Sequence, residues 1–156
     1  MLLPMLSELL GAIWRRLPTT IRRRVSQFGQ GRFTVTVAAM IFDEAGRILL
    51  LEHVFRADNG WGVPGGFVAR GEEPLEALHR ELREEANIEL DDIQFLFARA
   101  LDAVQQIEIY YRARAVGDPT PSSFEIKGAA WFPLNALPPN LSKDQRRLIQ
   151  RAVGAQ

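Results

Sequence analysis

The chain has 156 residues, 47% of them apolar and 24% charged, which fits one soluble globular domain with a proper core. It holds no cysteine, so disulfide staples and thiolate metal sites are excluded. The formal charge is zero but unevenly spread: residues 1–32 carry six arginines against Glu8 alone, a net of +5, and the rest of the chain is −5.

Residues 1–32 read as a leader ahead of the domain proper, residues 33–156. Leu6, Leu9, Leu10, Ile13, Trp14 and Leu17 follow the i, i+3, i+4, i+7, i+8, i+11 spacing that lines one side of a helix. Pro18 ends that helix, and Thr19 or Thr20 is placed to cap a second short one carrying Ile21, Val25 and Phe28. Arg15, Arg16, Arg22, Arg23 and Arg24 make the segment basic. The positive charge follows the apolar run and Glu8 interrupts it, which argues against a signal peptide and for a cytoplasmic location. The run is also too short to span a bilayer. Three destinations stay open for the leader: packing on the domain or on a second copy as a homodimer, attachment to anionic lipid, and contact with nucleic acid. Packing on protein is expected, because amphipathic helices mostly bury their apolar side that way. Peripheral membrane contact ranks below it, and nucleic acid last.

Phe33 to Phe42 is rich in β-branched and aromatic residues and predicts a strand. Asp43-Glu44-Ala45-Gly46 is a turn, and Arg47 to Arg56 returns as a second strand, so the two are expected to form a hairpin. Trp61-Gly62-Val63-Pro64-Gly65-Gly66 is a glycine-dense turn. Beyond it, Leu75, Leu78, Leu82 and Ala86 recur at helical spacing, with Pro74 suited to the first helical position and Asn87 to the left-handed stop. Ile93 to Ala103 and Gln106 to Val116 predict another strand pair. Ile107, Ile109 and Tyr111 alternate there with Glu108, Tyr110 and Arg112, which suggests one buried face and one wet one. A polar loop over residues 117–123, a short strand at 129–132 and a Ser142-capped helix through Val153 complete the chain. Strands around a central helix, closed by another helix, imply an α/β domain with a mixed sheet covered on both faces.

The acids of the central helix need a reason. Glu81, Glu84 and Glu85 lie three and four residues apart and project from one side. Like charges at that spacing destabilise a helix by a few tenths of a kcal/mol, at ~0.3 per pair. They become favourable around a hard cation such as Mg²⁺, which wants oxygen ligands and keeps waters and substrate phosphates in its shell.

The spacing around these acids then resembles a known signature. Gly66, Glu72, Arg80-Glu81-Leu82, Glu84-Glu85 and Ile88 match eight of the nine specified positions of G-x5-E-x7-R-E-U-x-E-E-x-G-U, with U aliphatic, the box of the Nudix hydrolases. Asn87 stands where the family usually has glycine, and it keeps the left-handed helix stop available. The resemblance implies an α/β/α sandwich over most of Phe33 to Val153, preceded here by the amphipathic leader. It implies a Mg²⁺-dependent pyrophosphohydrolase (Mn²⁺ a workable substitute) acting on a nucleotide-type substrate by metal-activated water attack on phosphorus. Glu81, Glu84 and Glu85 would be ligands, joined by the carbonyl of Gly65. Arg80 resembles the family arginine that holds a glutamate in place, with Glu72 its expected partner. The resemblance implies a general base that would be Glu84 or the loop acid Glu125.

Several other residues invite roles. Arg56 and Arg70 are candidates to meet substrate phosphates as bidentate donors. His53 and His79 are expected to be structural, and Trp61 to pack beneath the glycine turn rather than stack on a base. Of Tyr110 and Tyr111, at most one points toward a pocket. The substrate is narrowed by absences: the first proline after Ile88 is Pro119, unlike ADP-ribose members, and the proline-aromatic run of NADH-cleaving members is missing. A general nucleoside diphosphate-X hydrolase is the expectation, with oxidised nucleoside triphosphates next and a nucleotide-sugar behind them. A non-catalytic, nucleotide-binding Nudix regulator is the remaining alternative, though such domains typically lose box glutamates and all four are present here.

Overall fold

The structure is a computed structural model that describes residues 2–28, 31–55 and 60–154, apart from the side chains of residues 2–5, 9 and 27. The chain divides into two compact units, residues 1–32 and 33–156. In the first, α1 (Leu2–Arg16) and α2 (Thr19–Gln27) are helical. Pro18 itself occupies the N-cap of α2 and no side chain caps it, so neither Thr19 nor Thr20 has the capping role expected of it. Leu6, Leu10, Ile13, Trp14, Ile21, Val25 and Phe28 are all exposed. Among the described residues no helix is long and apolar enough to cross a membrane.

The second unit is an α/β/α sandwich. Its strands are β1 (Thr34–Ile41), β2 (Ile48–His53), β3 (Trp61–Gly62), β4 (Gly65–Phe67), β5 (Glu89–Leu101), β6 (Gln106–Val116) and β7 (Ile126–Phe132). They form a mixed four-stranded sheet, β4-β1-β6-β5, and a three-stranded one, β3-β2-β7. Between these layers and solvent lie α3 (Pro74–Ala86) on one side and α4 (Lys143–Val153) on the other.

The central strands explain the two-sided cover. Successive strand residues point to opposite faces, so an unbroken apolar run must bury both. Val37, Ala39 and Ile41 of β1 and Leu49 and Leu51 of β2 pack with Ala77, Leu78, Leu82 and Ala86 of α3. Their neighbours Met40, Ile48 and Leu50 pack with Leu148, Ile149 and Ala152 of α4. These side chains are almost wholly removed from water, and each full burial contributes roughly 1.5–3 kcal/mol before the entropy of ordering is set against it.

Four expectations are corrected. β1 and β2 do not form a hairpin: β1 pairs antiparallel with β4 and parallel with β6, while β2 pairs with β3 and β7. A strand has two hydrogen-bonding edges, and both edges of each are taken by other strands. The isolated bridge Phe42–Ile48 and the Asp43–Arg47 turn bond join the two. β5 begins at Glu89 rather than Ile93: Glu89, Leu90 and Asp91 pair with β6, and an irregularity between Asp91 and Gln94, with Asp92 at φ 51°, separates them from the rest of the ladder. The predicted wet face of β6 is covered, with Tyr110 buried in the α4-side core. Leu75 is exposed, so the buried stripe of α3 runs through Ala77, Leu78, Leu82, Glu85 and Ala86 instead.

The last helix forms as read, with Ser142 accepting a bond from the Gln145 amide. It is also tied to β5 by charge: Arg99 grips Asp144 with both guanidinium nitrogens, at 2.8 and 2.6 Å. Arg99 holds the Asp144 carboxyl below its ordinary 3.8, chiefly by hydrogen bonding. A depressed carboxylate pKa contributes stability above the unfolded value, and that contribution fades as pH falls through the folded one. Asp144→Asn is therefore expected to lower the stability measured by urea unfolding at neutral pH, by less than about 1 kcal/mol since Asp144 is solvent-screened. The gap between variant and parent should close as pH drops below 3.8; a gap that is independent of pH would contradict the assignment.

Candidate active site

The site is built where α3 meets the turn between β3 and β4. Helix α3 starts on a capping box, in which Glu73 and Glu76 satisfy each other's backbone ends, with Pro74 in the first turn. It stops at Asn87, which is left-handed at φ 52° and ψ 40°. With both ends fixed, the rotational setting of the helix is fixed too, and its acidic side faces Gly65 and Gly66.

That approach is close. The backbone N–H of Gly65 donates to Glu85 Oε2 at 3.1 Å, and Glu85 is the one buried charged residue among those described, only 8% exposed. A Cβ on Gly66 would lie 2.2 Å from the Glu81 carboxyl carbon, so the missing side chain there is what seats Glu81. Gly65 answers to a different constraint. Its φ is +147°, and a Cβ would meet the Val37 carbonyl oxygen at 2.1 Å. One glycine makes room for a carboxylate, the other for the neighbouring strand.

Arg80 organises the acids. Its Nε and Nη2 bond the two oxygens of Glu72 at 2.8 and 3.0 Å, and Nη2 also bonds the Phe67 carbonyl at 3.0 Å. Its Nη1 donates to Glu81 Oε1 at 2.8 Å and to Glu84 Oε2 at 3.4 Å. The guanidinium pairing, with help from the Ala69 N–H, holds Glu72 down to about 2. The reciprocal bonds to Glu72 and then Glu81 push Arg80 further above its ordinary value. Among the described residues no three acidic or histidine side chains converge as a ready metal cage. Even so, the donor set is all oxygen: Glu81 and Glu85 against the turn, Glu84 more exposed on the same side, and the nearby Gly65 carbonyl. Such hard donors suit Mg²⁺ or Mn²⁺.

The other sequence candidates divide. Glu125 is exposed, in a loop that Ser122 fastens to the end of α3 through the carbonyls of Glu84 and Glu85. Arg70 is exposed in the loop before α3, and Arg56 lies outside the described residues. His79 sits by Glu89, its Nδ1 3.7 Å from the carboxylate. Trp61 packs edge-on against Phe132 with ring centroids 4.9 Å apart. Tyr111 packs with Phe95 at 6.1 Å, and Tyr110 lines a cleft.

Sequence reasoning missed two features. His53, at the end of β2, brings Nδ1 within 3.7 Å of Glu85 Oε1. The second is a cleft of about 200 Å³ opening beside Gly65 and Gly66, lined by Thr36, Gln106, Glu108, Tyr110 and Gln145. Gln106 donates to Thr36 and Glu108, while the Tyr110 hydroxyl donates to Glu108 at 2.9 Å. Burial first, and the Glu108 charge second, push the Tyr110 phenol well above its ordinary value, so it stays a neutral donor. The signal was present as Gln106, Glu108 and Tyr110 on one strand face, but alternation alone reads as solvent-facing.

A family model, the NUDIX domain, matches residues 32–152. The chain belongs to the Nudix family. It is 30% identical over 122 residues to an NAD-capped RNA hydrolase, NudC, of Chromobacterium violaceum, covering 76% of this chain and 46% of that protein. It is also 30% identical over 123 residues to the human 8-oxo-dGDP phosphatase NUDT18, covering 75% of this chain and 38% of that one. The chain thus spans less than half the length of these curated relatives. Among solved structures, a MutT Nudix hydrolase from Burkholderia pseudomallei superposes with a TM-score of 0.69 at 29% identity, over 77% of this chain and 98% of that one. Nudix hydrolases generally use divalent metals and act on nucleotide-type substrates, which agrees with the oxygen donors gathered here.

The two glycines generate opposite predictions. Gly66→Ala pushes on the mobile end of the Glu81 side chain, so thermal melting should barely change while hydrolytic turnover falls at least ~10-fold. Gly65→Ala strains backbone against backbone and should cost about 1–3 kcal/mol of stability. A Gly66→Ala protein with full turnover would remove Glu81 from the site.

Proposed function

We propose that this Nudix domain hydrolyses the pyrophosphate linkage of a nucleoside diphosphate joined to another moiety. The observation that carries this reading is the juxtaposition of Glu81 and Glu85, seated on the Gly65–Gly66 turn, with a polar cleft that shares those two glycines. Mg²⁺, or Mn²⁺ in its place, would be held by Glu81, Glu84, Glu85 and the Gly65 carbonyl. When bound, it supplies neutralisation of the phosphate oxygens and a lowered pKa for the attacking water.

The chain's own residues do the rest. Arg80 keeps Glu81 and Glu84 in position through bonds to both. Glu125 takes the water's proton from the loop tethered to α3, with Glu84 its competitor for that role. Arg70 and Arg56 are assigned, from the sequence, as bidentate donors to the substrate phosphates. Within the cleft, the Glu108 carboxylate and the Gln106 and Gln145 amides supply acceptors and donors that suit the edge of a nucleobase. Kinship to an NAD-capped RNA hydrolase supports a substrate with two nucleoside ends. Kinship to an 8-oxo-dGDP phosphatase favours, as second reading, an oxidised nucleotide cleaved as its di- or triphosphate.

A panel of dinucleotides, nucleotide-sugars and oxidised nucleotides with Mg²⁺ separates the two readings by product. The first predicts release of a nucleoside monophosphate plus a second phosphorylated moiety, and the second predicts orthophosphate or pyrophosphate. Glu85→Gln should lose at least ~100-fold in turnover, since even groups behind metal ligands are worth 10–100-fold. Undiminished turnover by a folded Glu85→Gln enzyme would overturn the reading.

A further inference from the structure

Residues 1–32, none of which has been assigned a part in hydrolysis, hold a dense set of exposed apolar side chains. Leu6, Leu10, Ile13 and Val25 are each more than half exposed, and Phe28 is 90% exposed. Water-facing aliphatic and aromatic groups at this density mark an interaction surface rather than ordinary surface scatter. The same two helices carry Arg15, Arg16, Arg22, Arg23 and Arg24, with Arg15 and Arg16 in the last turn of α1 and Arg24 in that of α2.

We propose that α1 and α2 form a peripheral attachment surface for anionic lipid. Three physical points select lipid over other occupants. Helices with leucine, tryptophan and phenylalanine on one side and arginine on the other lie in the headgroup layer, the apolar side reaching the acyl chains. The 15 residues of α1 extend only about 22 Å at 1.5 Å per residue, which suits lying on a bilayer and not crossing it. A second copy is disfavoured because each leader carries +5, so two of them repel. Nucleic acid would satisfy the arginines and leave the apolar residues wet.

Charge also assigns the attraction to this segment alone. The remaining chain is −5 and is repelled by an anionic surface. Binding therefore depends on the leader arginines for its electrostatic part and on Leu10, Ile13, Trp14 and Phe28 for its apolar part. The consequence is a hydrolase domain held at a membrane surface.

The test is co-sedimentation of the full chain with phosphatidylcholine vesicles, with and without phosphatidylglycerol. Binding is expected only where phosphatidylglycerol is present, and raised salt should weaken it. Arg22→Gln, Arg23→Gln and Arg24→Gln together should weaken it roughly 100-fold, at one decade per 1.4 kcal/mol and near 1 kcal/mol per arginine. Leu10→Asp with Ile13→Asp should abolish it while unchanged thermal melting reports an intact body. Equal binding to both vesicle types overturns the proposal. So does a nucleic-acid complex formed by a chain that ignores vesicles, or a dimer that Ile13→Asp dissociates without any vesicle binding.

Discussion

A guanidinium locked among carboxylates is the interaction on which this structure turns. Helix α3 places Glu81, Glu84 and Glu85 on one side, an arrangement that like-charge repulsion opposes. Arg80 is the local answer. One planar cation takes both oxygens of Glu72, one each from Glu81 and Glu84, and the Phe67 carbonyl. A lysine, as a single flexible point charge, has no such fork, so this position is specific to arginine. The geometry does two things together: it stitches the loop before α3 to the helix, and it fixes where two of the three acids point.

The fold supplies the other half of the constraint. Glu85 is buried and engaged by the Gly65 amide, so it is held by the β3–β4 turn rather than by Arg80. That turn is in register with β1, Gly65 opposite Ala38 and Gly66 opposite Val37, and β1 is locked between β4 and β6. The carboxylates are thus referenced to the central sheet through two glycines and one arginine. Packing from both faces makes that reference rigid, because Val37, Ala39, Met40 and Ile41 of β1 and Ile48, Leu49, Leu50 and Leu51 of β2 are closed off from water. The cleft inherits the same frame: its floor is the β1–β6 pair, and Gln145 closes it from α4 through a bond to the Val63 amide.

What could be read from the sequence follows the range of the interactions involved. The ends of α3 and α4 were readable, since Pro74, Asn87 and Ser142 act on their own neighbours. The Glu72–Arg80 partnership was implied by the resemblance to the Nudix box, and the bond between them is present. The hairpin of β1 with β2 was misread for the converse reason: nearness in sequence suggested pairing, and the distant strands β6 and β7 each took one edge while β4 and β3 took the other. The cleft was hidden because Thr36, Glu108 and Gln145 come from β1, β6 and α4 and meet only in the assembled sandwich. His53 beside Glu85 was hidden likewise, and Leu75 shows that helical spacing alone does not say where a buried stripe begins.

The claim that Arg80 and Glu72 act as one positioning unit is open to a double-mutant cycle on turnover of the best substrate. Arg80→Ala and Glu72→Gln are each expected to slow hydrolysis. The double variant should be no slower than Arg80→Ala within about twofold, as coupled residues are not additive. Multiplied losses in the double variant, as for independent sites, would contradict the account.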